Sequence, residues 1–213
     1  MSVLIRRGGR QDARFLAWAM LTASRGHLEK GWFDIALNQP ENRCLEFLHA
    51  LTTAAIPSRW HYSRFLVAET EDGAAAALCA FRTADAYQHS LTALAQTADM
   101  LGLPSAEQAL IWQRGAYLSS CTIRPDDDSL LIESIATLPK FRRRGYTAAL
   151  LERATEEGRA AGRTQAEMAV FIGNDPAERG YLKAGFRCVG ELRHPAFAAV
   201  CGAAGQRRLL KVL

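Results

Sequence analysis

The chain has 213 residues, 49% of them apolar and 23% charged, with a formal net charge of +4; this allows a sizeable core in one domain, with room for an insertion. Lys and Arg are spread along the chain apart from Arg142–Arg144 and Arg207–Arg208, which argues against nucleic acid as a partner. No run approaches the roughly 18–20 apolar residues of a membrane span, the N-terminus lacks the order of a signal peptide, and five scattered cysteines without a CxxC pair read as buried thiols in a reducing compartment, so a cytoplasmic protein with no membrane partner is expected.

Leu4-Ile5 is a short strand. From Gln11 to about Ser24, Ala13, Leu16, Ala17, Met20 and Leu21 fall at helical spacing, and Gly26 can stop the helix. Helical patterns cover 27–37 and 41–54 before the break at Pro57-Ser58. A strand over 64–70, turn residues Glu71-Asp72-Gly73 and a returning strand over 74–82 make a hairpin, although an alanine run is poor strand material. Residues 84–128 read as a helical excursion, interrupted at Leu103-Pro104 and closed by Asp126-Asp127-Asp128. Those three acids form a solvated turn in this reading and not a metal site, because adjacent carboxylates in one turn splay apart.

The C-terminal half is cleaner. Leu130–Thr137 is strand-like and almost wholly apolar, so burial on both faces is expected, and Pro139 stops it. A helix over 147–161 ends at Gly162, a strand covers 166–172, and a helix over 176–184 starts at Asp175 and ends at Gly185. Strands over 186–192 and 207–212 follow. The strand–helix–strand order implies a parallel pair with a crossover helix.

Chemistry concentrates in Leu138-Pro139-Lys140-Phe141-Arg142-Arg143-Arg144-Gly145-Tyr146-Thr147, where a buried strand gives way to a basic loop and then to a helix. A helix start presents unpaired N–H groups and a positive dipole end, which suits phosphate. Gly145 allows close approach of the backbone. A solvated loop with an ordinary helix cap is the other reading of this segment alone. Further on, Asn174, Ala177, Tyr181 and Gly185-Phe186 follow a strand, with Ala177, Tyr181 and Ala184 on one helical face.

Together these segments resemble the GNAT superfamily of acyl-CoA-dependent N-acyltransferases, over about Ile132 to Phe186. Its R/Q-x-x-G-x-G/A loop is matched by Arg142-x-x-Gly145-x-Thr147, and its Asn, Ala, Tyr and Gly-Phe by Asn174, Ala177, Tyr181 and Gly185-Phe186. Thr147 replaces a small Gly or Ala, and Arg143 stands where many members have Gly.

The resemblance implies a mixed, mostly antiparallel α/β (α+β) sheet of six or seven strands, with helices on both faces and the excursion as a helical insertion. The whole chain, 1–213, would be one N-acetyltransferase domain. Its N-terminal helical region (about 11–60) and the insertion (about 84–128) would form the acceptor side, and its acyl-CoA-binding core would be about 130–190. It further implies that the strands at 130–137 and 166–172 splay apart. Acetyl-CoA would then lay its pantetheine along the backbone of Ile135, Ala136 and Thr137. Its diphosphate would sit on the N–H groups of Arg143, Arg144, Gly145, Tyr146 and Thr147, with Arg142 and Arg144 assisting. Tyr181 would be the general acid for the coenzyme A sulfur; a core aromatic on the helix face is the alternative.

Glu133 is the base candidate, as an acid in an apolar strand whose burial would raise its pKa; a solvent-facing carboxylate or a structural ion pair is the alternative. Asn174 either supports the cofactor and strand end or caps a helix. The five histidines make no metal motif and no metal is expected. His61, Trp32, Phe33, Trp60 and Tyr62 either line the acceptor site or pack in the core. The expected reaction moves an acetyl group to a primary amine, with a small molecule ahead of a protein or peptide as acceptor. A non-catalytic acyl-CoA-binding regulatory module is the rival, and the terminal strand is a candidate for pairing across a homodimer.

Overall fold

Punctuation by glycine and proline divides the chain much as its pattern suggests. The computed structural model describes residues 3–87 and 89–213. In chain order the elements are β1 (Leu4–Arg7), α1 (Ala13–Arg25), α2 (Trp32–Leu37), α3 (Glu41–Thr52), β2 (Phe65–Thr70), β3 (Gly73–Arg82), α4 (Thr83–Tyr87), α5 (Ser90–Met100) and α6 (Ser105–Gly115). Then follow β4 (Leu130–Thr137), α7 (Tyr146–Ala160), β5 (Gln165–Phe171), α8 (Asp175–Lys183), β6 (Arg187–Arg193), α9 (Pro195–Cys201) and β7 (Gly205–Val212).

One mixed sheet carries the seven strands in the order β1-β2-β3-β4-β5-β7-β6. Every neighbouring pair is antiparallel except β4 and β5, which run parallel with α7 as their crossover. Because β7 is hydrogen-bonded on both edges, the free edge at this end belongs to β6 and not to the terminal strand.

Each face of the sheet buries its own core. Leu16 and Met20 of α1 and Leu48 and Leu51 of α3 cover Phe65, Val67, Ala77, Cys79 and Leu131 on one face. Leu150, Leu151 and Ala154 of α7 cover Leu66, Leu78, Ile132 and Met168 on the other. Each fully buried Leu contributes about 1.5–3 kcal/mol. Ala75, Ala76 and Ala77 lie fully buried at the centre of the sheet, so packing from two sides overrides the weak strand propensity of alanine.

The excursion is fixed onto the α1–α3 face. Ala93, Leu94, Ala98 and Ile111 join that core. The Trp32 indole N–H donates to the Gly115 carbonyl at 3.0 Å, and Arg114 Nε donates to the Ala36 carbonyl at 2.8 Å. Asp126, Asp127 and Asp128 are exposed, and Asp126 accepts from the Asp128 N–H in its own turn. Buried Glu167 anchors the end of the excursion by accepting from the Asp126 N–H at 3.1 Å while paired with Arg208.

Three features differ from the pattern. Residues 27–31 are not helical; Gly26 ends α1 at φ 60°, and α2 restarts where the Asp34 carboxylate accepts from the Gly31 N–H. Strand β4 is buried on both faces only in part, since Glu133, Ser134 and Ile135 stay half-buried. Helix α9 was not foreseen: a short alanine-rich segment carries no periodicity, and it is held by Phe197 packed with Cys121 and Cys201. Among the described residues no helix is long and apolar enough to cross a membrane.

Candidate active site

Strands β4 and β5 share only two register pairs, Leu130 with Ala166 and Leu131 with Glu167. Beyond them β4 stays bonded to β3 as far as Thr137, and β5 stays bonded to β7 as far as Phe171. A gap therefore opens inside the sheet, and from Ile132 onward the β4 edge beside it has no partner strand. A bulge in β4 accompanies the divergence. Glu133 pairs with Cys79 and Ala136 with Ala77, so the bulged strand carries one extra residue, and Ser134 sits at φ 54°. An extra residue bends a strand and inverts its alternation. Accordingly Leu131 faces the α1–α3 core and Ile132 the α7 core, whereas Ile135 faces the α7 core and Ala136 the α1–α3 core.

Glu133, opposite Cys79, lies on the α1–α3 face. Its side chain keeps 23% of its surface, and Arg59 Nε stands 3.1 Å from Oε1. Burial raises the Glu133 pKa, and the Arg59 charge opposes the rise. The ion pair anticipated as one reading of Glu133 is thus present, with a partner that no local motif could supply. Arg59 is held in turn: Cys79 Sγ donates to its carbonyl at 3.0 Å, and its guanidinium lies 4.8 Å from the Trp60 ring centroid. Trp60 packs edge-on against Phe33.

Tyr181 belongs to the opposite face. With Ala177 and Ala184 it packs α8 against the α7 core, and burial pushes its phenol up to about 12. Glu133 and Tyr181 therefore belong to opposite faces of the sheet, Glu133 with the α1–α3 core and Tyr181 with the α7 core.

The basic loop closes the end of the gap where β4 stops. Phe141 and Tyr146 are buried against each other, 6.1 Å between ring centroids, and pin the turn. Arg142, Arg143 and Arg144 remain exposed, with Lys140 and Arg144 over the Phe141 ring. Gly145 sits at φ 82° with nothing within 4 Å of the side-chain position it lacks, so the approach to the helix start is open. The first helical bond of α7 runs from the Ala149 N–H to the Gly145 carbonyl at 3.0 Å. The N–H groups of Tyr146, Thr147 and Ala148 precede it and have no carbonyl one turn behind them. The Thr147 hydroxyl lies 3.1 Å from that of Thr137, and Arg142 Nε donates to the Thr137 carbonyl at 3.4 Å. Thr147 thereby ties the loop to the end of β4, a contact that Gly or Ala would lack.

Asn174 occupies the position before α8, but its side chain makes no capping bond. Its Nδ2 lies 3.1 Å from where a Cβ on Gly26 would stand, and His27 abuts Gly173 in the same way. The loop after α1 thus closes against the end of β5. His61 is engaged with Ser63 and lies on the Tyr62 ring; Trp32, Phe33, Trp60 and Tyr62 pack in or against the α1–α3 core. No cluster of His, Cys, Asp or Glu able to hold a metal ion occurs among the described residues.

No curated protein sequence matches the chain. Among solved structures it is similar to an acetyltransferase at TM-score 0.69 and 19% identity, covering 98% of each chain. It is also similar to an N-acetyltransferase from Staphylococcus aureus Mu50 at TM-score 0.69 and 20% identity, covering 97% of this chain and 99% of that one. A polyamine N-acetyltransferase of Drosophila melanogaster, which forms N-acetylagmatine, matches at TM-score 0.58 and 15% identity over the whole of both chains. At these identities the likeness shows the fold. The model of the acetyltransferase (GNAT) family matches residues 33–186, a stretch containing the β4–α7 turn, Glu133 and Tyr181, and the chain belongs to that family as a GNAT-type acetyltransferase.

Proposed function

We propose that the chain, acting as one domain, moves an acetyl group from acetyl-CoA to the primary amine of a small molecule. The observation that carries this reading is the gap that opens between β4 and β5 beyond Leu131, ended by the open helix start at Gly145. The unpartnered β4 edge at Ile135, Ala136 and Thr137 pairs with the amides of pantetheine as an added strand would. The backbone N–H groups of residues 143–147 receive the diphosphate, and the exposed Arg142 and Arg144 add attraction. Asn174 supports this end of the site from the turn before α8.

The amine nitrogen attacks the thioester carbonyl carbon, and the carbon–sulfur bond breaks. Glu133 takes the proton that the nitrogen loses, directly or through a water. Its raised pKa makes it a better base than an exposed carboxylate, while the Arg59 charge opposes the rise and favours the ionised form. Tyr181 stays protonated at neutral pH and donates to the sulfur as thiolate charge develops.

A small acceptor is favoured because α6, fixed to α2 through Trp32 and Arg114, and α5, packed through Ala93, Leu94 and Ala98, cover the face on which Glu133 lies. No metal enters this scheme, and a cytoplasmic setting supplies acetyl-CoA. Release of free thiol from acetyl-CoA, followed over a panel of small amines and peptides, tests the reading. Thiol release with small primary amines, lost in Glu133→Gln, is the expected result. Binding of acetyl-CoA with no acceptor-dependent release would reduce the protein to a binding module. Release with peptides alone would reassign the acceptor.

A further inference from the structure

At the opposite end of α7 from the Gly145 turn, a cavity of about 500 Å3 opens beside the ends of β3 and β4. Four arginines line it, Arg7, Arg64, Arg82 and Arg163, above an apolar floor that includes Leu130 and Ala154. Gly158 also borders the cavity; at 1.5 Å of rise per residue it stands about 20 Å along the helix from Gly145. The two places therefore do not share a ligand.

The charges here do not balance. Glu157 is shared by Arg7 and Arg153, Asp128 by Arg82 and Arg163, and Asp85 pairs with Arg82. Arg64 is half-buried, and its side chain has no ion pair or hydrogen bond among the described residues. The four arginines of the cavity face three acids, Glu157, Asp128 and Asp85, and one positive charge is left over. The guanidinium of Arg64 belongs to this group: the Asp85 carboxyl is held below its ordinary range first by its hydrogen bond from Arg82 and also by the charge of Arg64. A half-buried guanidinium without a direct ion pair, beside apolar surface, favours an anion that also carries a short carbon body.

We propose that this cavity binds a small organic polyanion, with Arg64 as its anchor and Arg7, Arg82 and Arg163 around it. Carboxylates and phosphates share the required chemistry. The cavity borders Arg82 and Asp85, where β3 passes into α4, so occupancy links the root of the excursion to α7.

Isothermal titration of the full chain with citrate and, separately, with inorganic pyrophosphate tests the proposal in the unaltered protein and in Arg64→Gln, Arg64→Lys and Arg144→Gln. At least one anion binds, Arg64→Gln weakens it tenfold or more, and Arg64→Lys retains part of the affinity. Arg144→Gln, at the other end of α7, leaves that affinity within twofold. Preference for citrate assigns the site to carboxylates, and preference for pyrophosphate assigns it to phosphates. Binding of neither anion, or binding lost in Arg144→Gln and kept in Arg64→Gln, overturns the proposal. A thermal melt of each variant verifies that it is folded, and Arg64→Lys carries the test if Arg64→Gln is not.

Discussion

Replacing Arg59 by Gln removes the positive charge paired with Glu133 while leaving the carboxylate in place. Unit charges 3.1 Å apart attract by about 5 kcal/mol at an effective dielectric near 20, and the solvent reaching about a fifth of each side chain reduces this to about 1.5–3 kcal/mol. At 1.36 kcal/mol per pH unit, that corresponds to about one to two units. Burial already raises the Glu133 pKa and Arg59 opposes the rise, so the substitution raises it further. The acid limb of kcat/KM for amine acetylation therefore moves to higher pH by about one to two units, and the activity lost on that limb recovers in alkaline buffer. Stability responds with a defined sign. A carboxyl whose folded pKa exceeds its unfolded value makes the folded chain hold more protons, so stability falls as pH rises from the ordinary carboxylate range through the folded value. In Arg59→Gln that decline extends to higher pH, and the gap in Tm from the unaltered protein widens between pH 5 and pH 8. In Glu133→Gln this contribution to the pH dependence disappears. An acid limb that stays in place in Arg59→Gln, with a Tm gap independent of pH, would refute the coupling and Glu133 as the base.

Tyr181→Phe should lower kcat at least tenfold while changing acetyl-CoA affinity by less than about twofold, measured by steady-state kinetics and calorimetry; unchanged turnover across pH removes Tyr181 as the donor. Gly145→Glu should abolish measurable acetyl-CoA binding, because it sets a carboxylate against the diphosphate and forces a side chain into φ 82°; retained affinity takes this turn out of the site. Glu167→Ala leaves Arg208 without its buried partner and should cost about 3 kcal/mol, or roughly 6–12 °C in Tm. A scanning-calorimetry loss below about 2 °C would show that Glu167 is not the anchor of the 126–129 turn.

Much of the architecture could be read from local pattern because local chemistry sets it. Gly26, Gly162 and Gly185 all adopt positive φ where helices were expected to stop, and the hairpin turns at Gly73 as its turn residues suggest. Where local pattern was silent or misleading, packing decided. Residues 27–31 have helical apolar spacing, yet the Asp34 carboxylate and Gly26 interrupt it; α9 has no periodicity, yet Phe197 holds it.

The candidate site divides along the same line. The turn at residues 142–147 and the spacing of Asn174, Ala177 and Tyr181 are contiguous in the chain, so sequence alone determined that a helix start and an aromatic hydroxyl lie on successive elements. It could not determine that Glu133 and Tyr181 lie on opposite faces, because that follows from the register that sets Glu133 against Cys79 and from the packing of α8 on the α7 core. Nor could it find Arg59 beside Glu133, or that Arg64 makes no direct ion pair among the described residues. Charge pairing depends on which side chains the folded sheet brings within a few ångströms, and such distances are set by long-range packing, not by order along the chain.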